Sequence, residues 1–205
     1  VGITSWLFFR TALAPGSQDA SLRALFDAMP FILAVFIPAA TMRLFAEELR
    51  DGTLELLLTQ PVQSWTVLGS KFSSGLIFVS SGILLTIGIP ILLETAGNMD
   101  SGAIAAQYIG VIFFSGSLIA IGMFGSSLTR NQIVAFIVAL FINIVLIVIG
   151  LSFVTITVPS SVAVLMQDLS PLTHFGNMAK GVLALRDVIY FVALTALFLS
   201  CTYLS

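Results

Sequence analysis

Residue types that could do chemistry are concentrated in one short charged segment of this sequence. Within residues 43–55 lie a third of all its acidic and basic side chains: Arg43, Glu47, Glu48, Arg50, Asp51 and Glu55. Charges of both signs at this spacing can form ion pairs with each other or with another protein, and they are costly to place against lipid. We therefore expect residues 43–55 to lie in water or against a partner.

The same segment predicts two helices joined by a sharp turn. Gly52 is expected to be the C-cap of a helix that carries Arg43 to Arg50, since glycine is the usual residue where a helix ends. Thr53 is expected to be the N-cap of a second helix. For Glu47 and Glu48 the simplest interpretation is a solvated helix end, with Arg43 and Arg50 at helical spacing from Glu47 as its partners.

The second helix is predicted to run from Thr53 to Pro61, with Glu55 in its first turn, where a carboxylate complements the helix dipole. Its apolar residues share one face: Leu54, Leu57 and Leu58. At roughly two turns this helix is too short to be stable alone. It therefore needs a surface on which to lie.

Composition places these segments in a membrane protein. Of the 205 residues 58% are hydrophobic and only 9% charged, and the mean hydropathy is +1.10, which is far more apolar than a soluble domain of this size. The net charge of -2 leaves no basic surface for nucleic acid.

The apolar runs predict an all-α membrane bundle. We expect spans at about 28–46, 68–93, 103–127, 131–154 and 187–205. Pro30 and Pro38 predict a kink in the first of them. Residues 155–186 mix polar and apolar residues in short amphipathic pieces, which suggests two short helices at the outer surface.

Small and polar residues within these spans suggest helix contacts. Gly116, Ala120, Gly122 and Ser126 have the spacing that lets two membrane helices approach closely. Asn143 lies mid-span, where an amide usually bonds a neighbouring helix; a role in a transport path is the less favoured alternative.

Catalytic and metal chemistry are not expected. The sequence has no Gly-x-x-x-x-Gly-Lys-Ser/Thr phosphate loop, so the energy of ATP would have to come from another protein. His174, with Asp168, Ser170 and Thr173 nearby, could be part of a hydrolase site, but a polar residue bonded within an external loop is the favoured interpretation. No acidic residue lies in the runs 72–93, 103–129 and 131–167, which disfavours ion coupling.

Several motifs resemble the ABC-2 type permeases, which are the membrane subunits of ATP-driven exporters. These are EELRDGTLELLLTQPV at 47–62, VLGSKF at 67–72, LTRNQIVAF at 128–136, LSPLTHF at 169–175 and KGVLALRDVIYF at 180–191. Their order and spacing resemble most closely the gliding-motility-type subgroup, and the resemblance covers nearly the whole chain.

The resemblance implies a six-helix ABC-2 (type V exporter-like) domain over residues 1–205, in which residues 1–9 are part of a first span and the first and last helices are cut short. It also implies that residues 47–65 are a cytoplasmic coupling segment that docks on an ABC ATPase, which would bind ATP and Mg²⁺. The residues expected to serve this coupling are Glu47, Glu48, Arg50, Gly52, Thr53, Glu55, Leu57 and Leu58. A second permease copy and the bacterial inner membrane complete the expected assembly.

Orientation rests on the same resemblance, which places residues 43–71 in the cytoplasm and 155–187 outside. The positive-inside count is a tie, with four basic residues on each side. Two rival functions remain open: an ion-coupled secondary carrier, and a membrane scaffold of a motility or envelope complex that moves no substrate. A partner ATPase and substrate-stimulated ATP hydrolysis would distinguish the exporter from both.

Overall fold

The computed structural model describes residues 23–53, 63–94, 101–156 and 159–205. Within these ranges the chain is almost entirely helical and contains no strand. The helices are α1 (Arg23–Thr41), α2 (Ala46–Asp51), α3 (Ser64–Leu84), α4 (Gly88–Glu94), α5 (Ser101–Ser127), α6 (Gln132–Ile149), α7 (Ser152–Thr155), α8 (Ser160–Leu169), α9 (Pro171–Met178) and α10 (Leu185–Leu204).

Five stretches of the described chain are long and apolar enough to cross a bilayer. They are Phe26–Asp51, Ser64–Ile91, Gly102–Ser127, Gln132–Ile149 and Leu185–Leu204. The all-α membrane class predicted from composition is therefore confirmed. The further span predicted at residues 1–9 lies outside the described residues.

Helix α5 forms the centre of the bundle and contacts α1, α3, α6, α9 and α10. In its most apolar stretch 72% of the residues are buried, against 17% in α10. Small residues allow α5 to pack closely against its neighbours. A Cβ atom on Gly122, for example, would lie 2.0 Å from Thr41 Oγ1 of α1. The close helix approach predicted from the small-residue spacing is thus confirmed for α1 and α5.

Three of the predicted spans are interrupted rather than continuous; in the one expected at 131–154, α6 ends at Ile149 and the short α7 follows separately. The span expected at 28–46 stops at Thr41, and residues 42–45 form a turn before α2. The span expected at 68–93 is broken by a 3₁₀ turn, Leu85–Ile87. The physical reason for the second break is Pro90, whose ring crowds the carbonyl of Thr86 in a continuous α-helix.

The spans alternate in direction, so the bundle has two polar ends with different residues. At the Lys71 end, the end of α1 and all of α2 meet the start of α3 and the end of α5. At the His174 end, α8 and α9 pack beside the start of α10. An aromatic cluster between them, which includes Phe114, Phe175 and Phe191, fills the core beneath the His174 end.

Candidate functional site

The break between α1 and α2 forms the core of the candidate site. A chain that leaves the helical conformation at residues 42–45 frees backbone groups that a continuous helix would bond internally, and such groups are costly inside a membrane protein. The hydroxyl of Ser126, on α5, accepts hydrogen bonds from the N–H groups of Phe45 at 3.0 Å and Ala46 at 2.9 Å. The same hydroxyl donates to the carbonyl of Met42 at 2.9 Å.

Lys71, in the second turn of α3, bonds the same break from another side. Its ammonium group donates to the carbonyl of Leu44 and lies 4.7 Å from the centre of the Phe45 ring. It also forms an ion pair with Glu48 of α2, with 2.6 Å between Lys71 Nζ and Glu48 Oε1. One lysine thus joins α2 to α3 through a carbonyl, an aromatic face and a carboxylate.

Gly52 ends α2 as predicted. Its backbone is left-handed, with φ 70 and ψ 10, and its N–H donates to the carbonyl of Glu48. A side chain at this φ would be strained, so glycine is the favoured residue for the turn. The predicted start of the helix was wrong, however, because α2 begins at Ala46 and not near Arg43.

The predicted ion pairs of Glu47 were also wrong. Among the described residues Glu47 pairs with neither Arg43 nor Arg50; Arg50 bonds its neighbour Asp51 instead, with 3.0 Å between Nε and Oδ1. The break at 42–45 is the reason for Arg43, since it removes the regular i,i+4 geometry between the two residues. The Arg50–Asp51 pair is about half exposed and contributes little to stability.

The predicted docking residues are only partly within the described chain. Glu47, Glu48 and Arg50 lie on α2. Thr53 is exposed and already helical directly after the Gly52 turn, so the prediction that it is an N-cap was wrong by one residue. Glu55, Leu57 and Leu58 fall in residues 54–62, outside the described ranges, so their contact with an ATPase stays a prediction. Sequence reasoning missed Ser126 as a hydrogen-bonding residue, although its small-residue spacing marked it as a helix contact.

A second polar cluster lies at the His174 end. His174 Nδ1 is 2.6 Å from Asp187 Oδ1, and His174 Nε2 is 3.0 Å from the backbone oxygen of Asp168. Asn177 Nδ2 donates to the other Asp187 oxygen at 3.3 Å. Each imidazole nitrogen thus lies within hydrogen-bond distance of an oxygen, one from a carboxylate side chain and one from the backbone. His174 is therefore bonded within its segment only through the Asp168 backbone, and its side-chain partner Asp187 lies on α10, outside that segment.

Tyr190 covers this cluster. Its ring stacks on the His174 imidazole with 4.0 Å between the ring centres, and its hydroxyl donates to the carbonyl of Leu169. At the surface Arg186 pairs with Asp168 at 2.6 Å. Sequence reasoning missed Asp187 and Tyr190 because they lie on another helix, and no spacing rule connects them to His174.

Asn143 of α6 is the third buried polar feature. It is completely buried, and within the described chain neither its amide nitrogen nor its amide oxygen has a hydrogen-bond partner. The predicted bond to a neighbouring helix is therefore not present in this structure. A buried amide left unbonded costs about 1–3 kcal/mol.

The described residues also form an apolar surface groove. An apolar groove of about 480 Å³ lies between α3, α5 and α10, and the one hydroxyl in its lining, that of Thr195, already bonds the carbonyl of Phe191. Over the described residues, no three His, Cys, Asp or Glu side chains lie close enough to hold a metal ion.

Comparison with known families agrees with this architecture. The sequence model of the family described as "ABC-2 family transporter protein" matches residues 8–204. The chain belongs to the ABC-2 family of transporters. It is therefore a multi-pass membrane domain of the kind that forms the permease subunit of an ABC transporter. Among curated proteins, none matches the chain.

Proposed function

We propose that this ABC-2 protein is the permease subunit of an ATP-driven exporter, and that residues 53–61 couple it to a separate ABC ATPase that binds ATP and Mg²⁺. One observation carries the proposal. The Lys71 end has a built turn, in which α2 stops at a left-handed Gly52 just before residues 53–61. Side chains from α3 and α5 hold α2 in place just before that turn, so a force on 53–61 has a direct route into two spans.

Each residue of the turn has a role in this proposal. Gly52 reverses the chain, Thr53 begins the coupling helix, and Glu48 holds α2 against α3 through Lys71. The side chains that meet the ATPase are Glu47, Arg50, Glu55, Leu57 and Leu58. Exposed Arg43, Arg50 and Arg130 at this end supply further polar surface for a partner.

The proposal also includes the assembly, the membrane and the orientation of this exporter. Two permease copies pair in the bacterial inner membrane and sit on two ATPase subunits, with residues 43–71 in the cytoplasm and 155–187 outside. The runs at 169–175 and 180–191 support the gliding-motility-type subgroup. Closure of the ATPases on ATP displaces residues 53–61 and rocks the spans.

The test is to purify the protein with its candidate ATPase and to compare wild type with a Glu55→Arg, Leu57→Asp double variant. We expect the variant to insert normally but to lose co-purification with the ATPase and the stimulation of ATP hydrolysis. A matched control places the same new charges on exposed positions of α8 at the other end, Ser161→Arg with Leu165→Asp. Unchanged ATPase association in the 55/57 variant would overturn the coupling assignment.

A second candidate function is an ion-coupled carrier, and one observation favours it. Asp187 is 2% exposed at the start of the α10 span, and buried carboxylates in spans often serve ion transport. Against this, both of its oxygens are already bonded, to His174 and Asn177. Transport that persists without an ATPase and stops when the proton gradient is collapsed would favour the carrier. Stable assembly without any transport would favour a scaffold.

A further inference from the structure

Ser126 is the one side chain that bonds both sides of the break between α1 and α2 within the described chain. A serine hydroxyl has one donor and two acceptor sites. In this structure all three are used on the break: the donor on the Met42 carbonyl, and the acceptors on the N–H groups of Phe45 and Ala46. Ser126 itself is fully buried on α5. The hydroxyl is therefore saturated by backbone groups of another span.

Residues 42–45 have an alternative conformation, a continuous α-helix, in which the backbone groups bonded by Ser126 would form bonds within the helix. In a continuous α-helix the N–H of Phe45 would bond the Thr41 carbonyl, and the N–H of Ala46 would bond the Met42 carbonyl. Ser126 occupies both N–H groups and the Met42 carbonyl, so it competes directly with rewinding of the helix. Without its hydroxyl, the chain regains two of these bonds only by winding residues 42–45 into helix.

We propose that Ser126 is a positioning residue that sets the angle between α1 and α2 and transmits displacement of α2 to the central helix α5. This inference rests on the proposed coupling function, because α2 leads directly through Gly52 to residues 53–61. Lys71 supports the same joint from α3 through the Leu44 carbonyl and Glu48. The joint therefore connects α2, which leads into the proposed coupling segment, to two spans that come later in the chain, α3 and α5.

Helix α5 supplies a matched control for this role. Ser117 lies on the same helix and is also fully buried, but its hydroxyl bonds the Phe114 carbonyl of its own helix at 2.7 Å. Ser117→Ala thus removes the same atom at the same burial without touching the joint. Ser126→Thr keeps the hydroxyl at the joint and serves as the conservative rescue.

The first measurement is a distance and needs no ATPase. Spin labels at Arg50→Cys and Arg130→Cys, both exposed, in a Cys201→Ser background report how α2 lies against the end of α5. We expect Ser126→Ala to shift the label distance by several ångströms, and Ser117→Ala and Ser126→Thr to keep the wild-type distance. An unchanged distance in Ser126→Ala overturns the claim that Ser126 sets the angle.

The second measurement is coupling in the full complex with the candidate ATPase. We expect Ser126→Ala to retain ATPase association and to lose at least tenfold in transport per ATP hydrolysed, whereas Ser117→Ala and Ser126→Thr couple as the wild type does. If Ser126 only stabilised the fold, Ser126→Ala would lower the melting temperature without lowering the transport per ATP hydrolysed. A shifted distance with full coupling overturns the transmission role. Failure of the wild type itself to bind an ATPase overturns the proposed function instead, and the distance result then stands separately.

Discussion

The two polar ends of this bundle are built from different kinds of contact. At the Lys71 end, side chains from α3 and α5 bond mainly to backbone groups that the break at 42–45 has freed. At the His174 end, side chains bond one another across α9 and α10. Burial differs too: Lys71 and Glu48 are 15% and 33% exposed, whereas His174 and Asp187 are 6% and 2% exposed.

This difference indicates which end can move. Contacts to backbone groups depend on the conformation of residues 42–45, and rewinding the helix offers those groups other partners. No rewinding of a helix offers the His174 cluster other partners, and buried polar groups that are separated from their partners pay a desolvation cost. We therefore infer a movable joint at the Lys71 end and a fixed attachment of α9 to α10 at the His174 end.

The largest effect is expected from Asp187→Ala. This change leaves His174 Nδ1 buried without its acceptor and removes the partner of the exposed Asn177 amide. Loss of one partner of a buried salt bridge typically costs about 3–5 kcal/mol. Denaturant unfolding in mild detergent measures the loss. The control is Asp168→Ala, whose pair with Arg186 is largely exposed and worth about 0–1 kcal/mol. Equal losses for the two variants would contradict a fixed attachment built on Asp187.

A smaller effect is expected from Lys71→Met, which keeps most of the apolar stem but removes the donor to Leu44 and the partner of Glu48. We expect the free energy of unfolding to fall by about 1–3 kcal/mol, as for other partly buried groups left without partners. Lys180→Met is the control, because Lys180 is exposed and surface changes of this kind stay within about 0.5 kcal/mol. A loss as large as that of Asp187→Ala would erase the contrast between the two ends.

The overall fold could be predicted from the sequence because it depends on local signals. Long uncharged runs identify spans, since lipid tolerates few charges. Gly52 could be assigned as a cap because a left-handed helix end favours glycine whatever surrounds it. The close approach at Gly122 could be inferred from small-residue spacing.

The joint and the buried cluster could not be predicted, because they depend on contacts between distant residues. Nothing near residues 42–45 shows that a helix will break there; the bonds that hold the break come from Ser126 and Lys71. The pairing of His174 with Asp187 similarly needs α9 and α10 to be placed side by side. Glu55, Leu57 and Leu58 remain predictions, carried by the resemblance alone.

Asn143 sharpens the comparison because it is a buried polar residue that neither end includes. Its amide is fully buried and unbonded within the described chain, so replacing it with leucine, which has nearly the same size, removes a desolvation cost without removing a bond. We expect Asn143→Leu to raise the free energy of unfolding by about 1 kcal/mol. Asn177→Leu is the comparison variant and should lower it, because that amide, although on an exposed residue, donates to Asp187. Destabilisation by Asn143→Leu would instead mean that the amide has a partner in the membrane, such as a bound water or a second copy of the chain, and that polar contacts hold the middle of the bundle as well as its ends.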